Sequence, residues 1–247
     1  MIYIRFLLIV TILNLSLISC SNTSSISKLP PSELYNKAQQ NLQMGKFRVA
    51  IKQLELLSNL YPAGTYYQQS QLDLIYAYYK NLNLLKSQST IERFMRFNPT
   101  HPDIDYVIYM NGLTELALNR VVLQGFFYIN ANHSDRDLTH VQHAYEKFIK
   151  LVSDYPNSLY AADAQRRLIF IKEGLAKHEL LIAEFYNKRE AFISVINRVE
   201  EMIKNYPDTR STFKALTLME NAYRKLQLQS EADKVSKIIA INSAYFH

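Results

Sequence analysis

A chain of 247 residues that is 48% hydrophobic is long enough for one large domain or an extended array, and too apolar to be globally disordered. With 5 glycines and 7 prolines it is poor in the material of a turn-dense β-fold or a Gly-rich phosphate loop, and a single cysteine excludes an internal disulfide or a cysteine-based metal site. The net charge of +6 reflects AT-rich coding, in keeping with 18 tyrosines and no tryptophan, or a basic surface facing acidic partners or lipid headgroups; its scattered Lys and Arg residues make nucleic acid a poor fit.

Residues 1–19 read as an export signal. One positive charge, Arg5, precedes an apolar stretch from Phe6 to Ile18 that only Thr11, Asn14 and Ser16 interrupt. That stretch is shorter than the ~20 apolar residues a membrane-spanning helix needs and suits a secretory core instead. Leu17-Ile18-Ser19-Cys20 then matches a bacterial lipobox. The expected product is cut before Cys20, carries S-diacylglycerol and N-palmitoyl chains there, and is held durably, since each buried methylene adds about 0.8 kcal/mol. The competing reading is an ordinary cysteine in a membrane anchor. Ser21, where enterobacterial sorting rules place Asp for inner-membrane retention, favours the outer membrane. Residues 20–31 (CSNTSSISKLPP) read as a flexible tether ending in a stiff proline pair, and the repeat domain is expected over 32–247.

From Ser32 onward apolar residues recur at helical spacing. Leu34, Tyr35, Ala38 and Leu42 form one stripe, and Val49, Ala50, Leu54, Leu57 and Leu60 the next, with Gly45 at the turn between. Tyr61-Pro62 ends the pair because proline cannot continue a helix. The unit recurs: Ala38 precedes Pro62 by 24 positions, as Ala183 precedes Pro207, and Ala50 precedes Pro62 by 12, as Ala144 precedes Pro156. Tyr155-Pro156 and Tyr206-Pro207 repeat the closing pair, while the second repeat ends on Asn98-Pro99 after Ala77, Ile91 and Phe94. Ala215, Leu218, Ala222, Tyr223 and Leu226, then Ala232, Val235, Ile238 and Ile239, make a last pair. The fold class is therefore all-α, a tetratricopeptide-type helical solenoid of about five repeats, with a chance helical bundle as the alternative. Residues 119–139 interrupt the third repeat with an insertion longer than a helix–helix turn. Its cluster Leu123, Phe126 and Phe127 reads as a loop folding back, or as a partner-binding element.

No catalytic constellation stands out. There is no Gly-x-Ser-x-Gly, P-loop or His-Glu-x-x-His motif. His140 and His143 are three apart and could share a helical face, with Asp135 and Asp137 nearby, but a metal site wants further ligands placed with them. A solvated loop and helix start is the plainer reading, so neither metal nor non-covalent cofactor is expected. Glu200 and Glu201 diverge by about 100° on a helix and make a poor acid/base couple. What remains is a binding scaffold rather than an enzyme.

Local sequence adds a resemblance. QLDLIYAYYKN (71–81), NPTHPDIDYVIYM (98–110), LQGFF (123–127), SDRD (134–137), DYPNS, NRVEEMIKNYPDT, LMENAYR and KVSKIIA are similar to the BamD family, the essential lipoproteins of outer-membrane β-barrel assembly. The resemblance implies a scaffold on the periplasmic face of the outer membrane. Its partners there are the barrel subunit BamA, unfolded outer-membrane proteins and, where present, other Bam lipoproteins such as BamC and BamE. It implies that C-terminal repeats hold BamA and N-terminal repeats receive clients. Position by position, Arg198 aligns with the family's BamA-contacting arginine, and Arg48 and Tyr61 with residues implicated in reading a client's C-terminal signal. Arg48 could pair with a terminal carboxylate, or be a solvated helix charge. Tyr61 could stack on a terminal aromatic, or simply close its repeat. Another periplasmic tetratricopeptide lipoprotein, such as a secretin pilotin or cell-wall adaptor, is the alternative.

Overall fold

The computed structural model describes residues 29–118 and 138–246. Cys20, residues 21–28 of the tether, and residues 119–137 with Asp135, Asp137 and the Leu123, Phe126 and Phe127 cluster lie outside the described residues. Every regular element among the described residues is an α-helix: α1 (Pro31–Gln43), α2 (Phe47–Leu60), α3 (Tyr67–Lys80), α4 (Leu84–Phe97), α5 (Ile104–Leu118), α6 (Thr139–Asp154), α7 (Ala161–Lys188), α8 (Phe192–Asn205), α9 (Arg210–Lys225) and α10 (Gln229–Phe246). Among the described residues consecutive helices pair into five tetratricopeptide-type units, α1/α2 through α9/α10, with Ser87 of α4 donating to the Ile75 carbonyl of α3 (3.1 Å) in the second. None of the described helices is long and apolar enough to cross a membrane. α1 starts on Pro31, one residue ahead of the expected boundary, because proline at the first helical position lacks only an N–H that would have no partner there.

The described residues fall into two compact units, one ending at Phe94 and the other beginning at Met95. Within the first, Ala38, Ile51, Leu54, Leu74, Ala77 and Tyr78 make the core. Within the second, Val195, Val199, Met202, Ala215, Met219, Ala222 and Val235 share another. Ala38, Ala50, Ala77, Ala144, Ala183, Ala215, Ala222 and Ala232 are all fully buried. Small residues stand where helices touch because a larger side chain would hold the backbones apart. Three stripe positions are corrected: Val49, Leu60 and Ile238 are each 46% exposed. Val49 sits about 100° round the helix from buried Ala50, and Leu60 is the last residue of α2.

The turns inside four of the five pairs share one geometry. Gly45, Leu82, Glu190 and Gln227 have φ of 70°, 59°, 59° and 62°. At each, the N–H of the left-handed residue and that of its successor donate back into the preceding helix, as Gly45 does to Leu42 (3.0 Å) and Lys46 to Asn41 (2.8 Å). The α5/α6 pair is joined instead through residues 119–137. Between pairs, Tyr61, Tyr155 and Tyr206 end their helices with nearly identical dihedrals (φ −132°, −132° and −138°), each donating its N–H to the carbonyl four residues back. The Tyr-Pro closures are therefore one structural device used three times.

Candidate client and partner sites

Tyr61 stands at the corner between α2 and α3. Its carbonyl accepts from the N–H of Gly64 (3.0 Å), which folds the 61–66 turn back on the helix end. The corner walls a hollow of about 280 Å³ lined by Pro31, Ser32, Leu57, Tyr61, Gly64, Thr65, Tyr66 and Tyr67. Close by, Tyr35 of α1 stacks on Tyr66 with ring centroids 4.9 Å apart. Burial, reinforced by the neighbouring Asp73 carboxylate, pushes the Tyr35 hydroxyl well above its ordinary value and keeps it protonated. Gln39 bridges the two, donating to the Tyr35 oxygen (2.7 Å) and to Asp73 (2.5 Å). Three tyrosines and a hollow with few charges can receive an aromatic or aliphatic side chain.

Arg48 is exposed on the first turn of α2 and is not part of that corner. Thirteen residues of helix separate it from Tyr61, about 20 Å at 1.5 Å per residue. The two therefore cannot engage the carboxylate and ring of a single terminal residue.

Arg198 projects from α8 and is 30% exposed. It donates to Glu179 of α7 (2.8 Å) and reaches Glu201, one turn along α8 (3.3 Å). Burial pushes the Glu179 carboxyl upward, but His178 and Arg198 more than reverse this and hold it below the usual carboxylate range. A guanidinium has five N–H donors, so Arg198 keeps some for an outside acceptor while its position is set by the two acids. Ile203 near the end of α8 and Pro207 just past it join Thr212, Phe213, Leu216, Ile238 and Asn242 around an apolar hollow of about 130 Å³.

Two features escaped sequence reading. α7 runs for 28 residues, about twice its neighbours, and packs against both α8 and α9. From its middle, Glu173 accepts from the N–H groups of Arg210 (3.0 Å) and Ser211 (3.1 Å), while Thr209 caps the N–H of Thr212 (3.1 Å). Three of the four unpaired donors of α9 are thus satisfied, two of them from another helix. The second feature is Glu115 on the last turn of α5. It is nearly buried, and both His140 (2.7 Å) and His143 (3.8 Å) aim Nδ1 at its Oε2 atom. The histidine pair was legible from its spacing. Its partner lies 25 residues upstream, and only the packing of α5 on α6 brings it there.

The chain matches the family model YfiO, described as an outer membrane lipoprotein, over residues 27–238. It is 45% identical to the outer membrane protein assembly factor BamD of Vibrio cholerae serotype O1, covering 92% of this chain and 93% of that one. It is 41% identical to the Pasteurella multocida protein of the same name over 91% of this chain and 85% of the relative, and 39% identical to that of Haemophilus influenzae over 91% and 86%. Matched over nearly its whole length by that model and by these relatives, the chain belongs to the YfiO family of outer-membrane lipoproteins, which BamD represents.

Proposed function

We propose that this chain is a non-enzymatic scaffold of outer-membrane β-barrel assembly, lipid-anchored through Cys20 on the periplasmic face. In this reading it holds BamA through its C-terminal repeats and receives unfolded barrel proteins on its N-terminal ones. The observation that carries the reading is the 45% identity, across 92% of the chain, with a protein named as an outer membrane protein assembly factor. Tetratricopeptide-type pairs suit it, because they present extended surfaces to polypeptides. The tyrosine corner beside Tyr61 supports client capture. An extended segment advances about 3.3 Å per residue, so roughly six residues would link an aromatic side chain at Tyr61 to a terminal carboxylate at Arg48.

The test is co-recovery from detergent-solubilised envelopes of a Gram-negative host. The full chain should bring down BamA, and Arg198→Gln should reduce that recovery several-fold at unchanged helix content. Because Arg198→Gln also strips Glu179 of its cation, the Arg198→Gln/Glu179→Gln pair is the control; it restores the original local net charge and should stay deficient. Full recovery with either variant removes Arg198 from the interface, and absence of BamA with the unaltered chain overturns the reading. In the same fractionation Cys20→Ala should leave an uncleaved precursor or an unanchored protein, and normal acyl labelling with normal membrane fractionation would overturn the lipobox reading.

A further inference from the structure

We propose that Glu115, His140 and His143 form a site for a first-row transition-metal dication, zinc(II) foremost, that ties the end of α5 to the start of α6. One oxygen or nitrogen from each residue lies within 4.8 Å of the others. Both imidazoles converge on the same carboxylate oxygen, His140 Nδ1 at 2.7 Å and His143 Nδ1 at 3.8 Å. A tetrahedral ion with bonds of about 2.0–2.2 Å needs ligand atoms about 3.3 Å apart, so small side-chain rotations convert the cluster into a coordination shell.

The chemistry of the donor set selects the ion. Two imidazoles with one carboxylate suit zinc, cobalt, nickel or copper and are poor ligands for magnesium or calcium. Three protein ligands leave a fourth position for water. His140 and His143 are 40% and 48% exposed, which opens an entry path, whereas the Glu115 side chain is only 4% exposed. A carboxylate so removed from water favours a positive charge beside it, and both imidazoles of α6 converge on that one oxygen. The i, i+3 spacing on α6 directs both rings to one face. Coordination through Nδ1 leaves each Nε2–H free to reach solvent. The ends the ion joins bracket residues 119–137, and it acts there as a clip on the third pair.

The experiment uses the full chain in detergent, without a histidine tag and stripped by chelation. Titration with zinc(II) by calorimetry should saturate at one equivalent and raise the melting temperature, and excess magnesium should not compete. His143→Gln, an exposed position, should leave the metal-free melt unchanged and weaken binding at least about tenfold, no less than the 10–100-fold that loss of a mere second-shell partner costs. His101→Gln, on the segment before α5, should leave zinc binding unchanged. No saturable binding, or binding in His143→Gln and His140→Gln as tight as in the unaltered chain, would overturn the proposal.

Discussion

Gly112 shows how one missing atom sets a helix contact. A Cβ placed on it would lie 2.6 Å from the ring of Phe148, which is fully buried where α6 meets α5. Alanine there gains about 1 kcal/mol of helix propensity but must push back a ring with no room to move, an overpacking cost of about 1–3 kcal/mol. Gly112→Ala is therefore expected to be a net loss of about 1 kcal/mol, lowering the midpoint of the second unit by about 2–4 °C in a thermal melt. A rise would mean that Phe148 has a second rotamer available. Glu115, one turn further along α5, illustrates the other side of residue-scale reading. As a letter in the sequence it is an unremarked helix acid, and the two histidines that meet it appear only in three dimensions.

At the scale of the element, the four matched turns separate what glycine signals from what the fold requires. Gly45 was legible because glycine enters the left-handed region without strain. Leu82, Glu190 and Gln227 adopt the same conformation and were not legible, since for them it costs about 1–2 kcal/mol that packing of the flanking helices offsets. Gln227→Gly should then stabilise the α9/α10 pair by about 0.5–1 kcal/mol, the relieved strain less glycine's extra chain entropy, whereas Gly45→Ala should destabilise α1/α2 by about 1 kcal/mol. Denaturant midpoints at unchanged slope measure both, and a stabilising Gly45→Ala would refute the shared-strain account. The Tyr-Pro closures were legible at all three sites because proline and its predecessor restrict the backbone locally. The double length of α7 was not. A helix continues unless a breaker stops it, and the use of its extra turns to cap α9 through Glu173 is visible only in three dimensions.

At the scale of the molecule, paired carboxylates set the response to acid. Glu55 is pushed up by burial but pulled lower by Lys86 and Tyr78; Asp163 is lowered by Tyr109 and Arg167, Asp208 by Lys172, and Glu179 by His178 and Arg198 against its own burial. Each is depressed in the folded state, so its contribution is fully present above the ordinary carboxylate values near 4 and is lost as pH falls through the folded values. Asp73, raised by burial, works in the opposite direction and offsets part of the effect. With +6 at neutral pH, protonating acids also adds self-repulsion. The melting temperature should stay nearly level from about pH 5 to 8 and fall steeply toward pH 3, with Glu179→Gln flattening the fall. Equal melting at pH 3 and pH 7 would show that these pairs carry no net stability.

Periodicity, proline and small-residue spacing by themselves determined the all-helical class, the five pairs and most of the buried faces, because each depends on local backbone preference and on which side of one helix is apolar. Tertiary structure alone decided which distant side chains meet. It seated Arg198 against Glu179 and carried Glu115 to His140 and His143. Such meetings follow from how helices pack on one another, and a contact across 19 to 28 positions of chain leaves no periodic trace in the sequence.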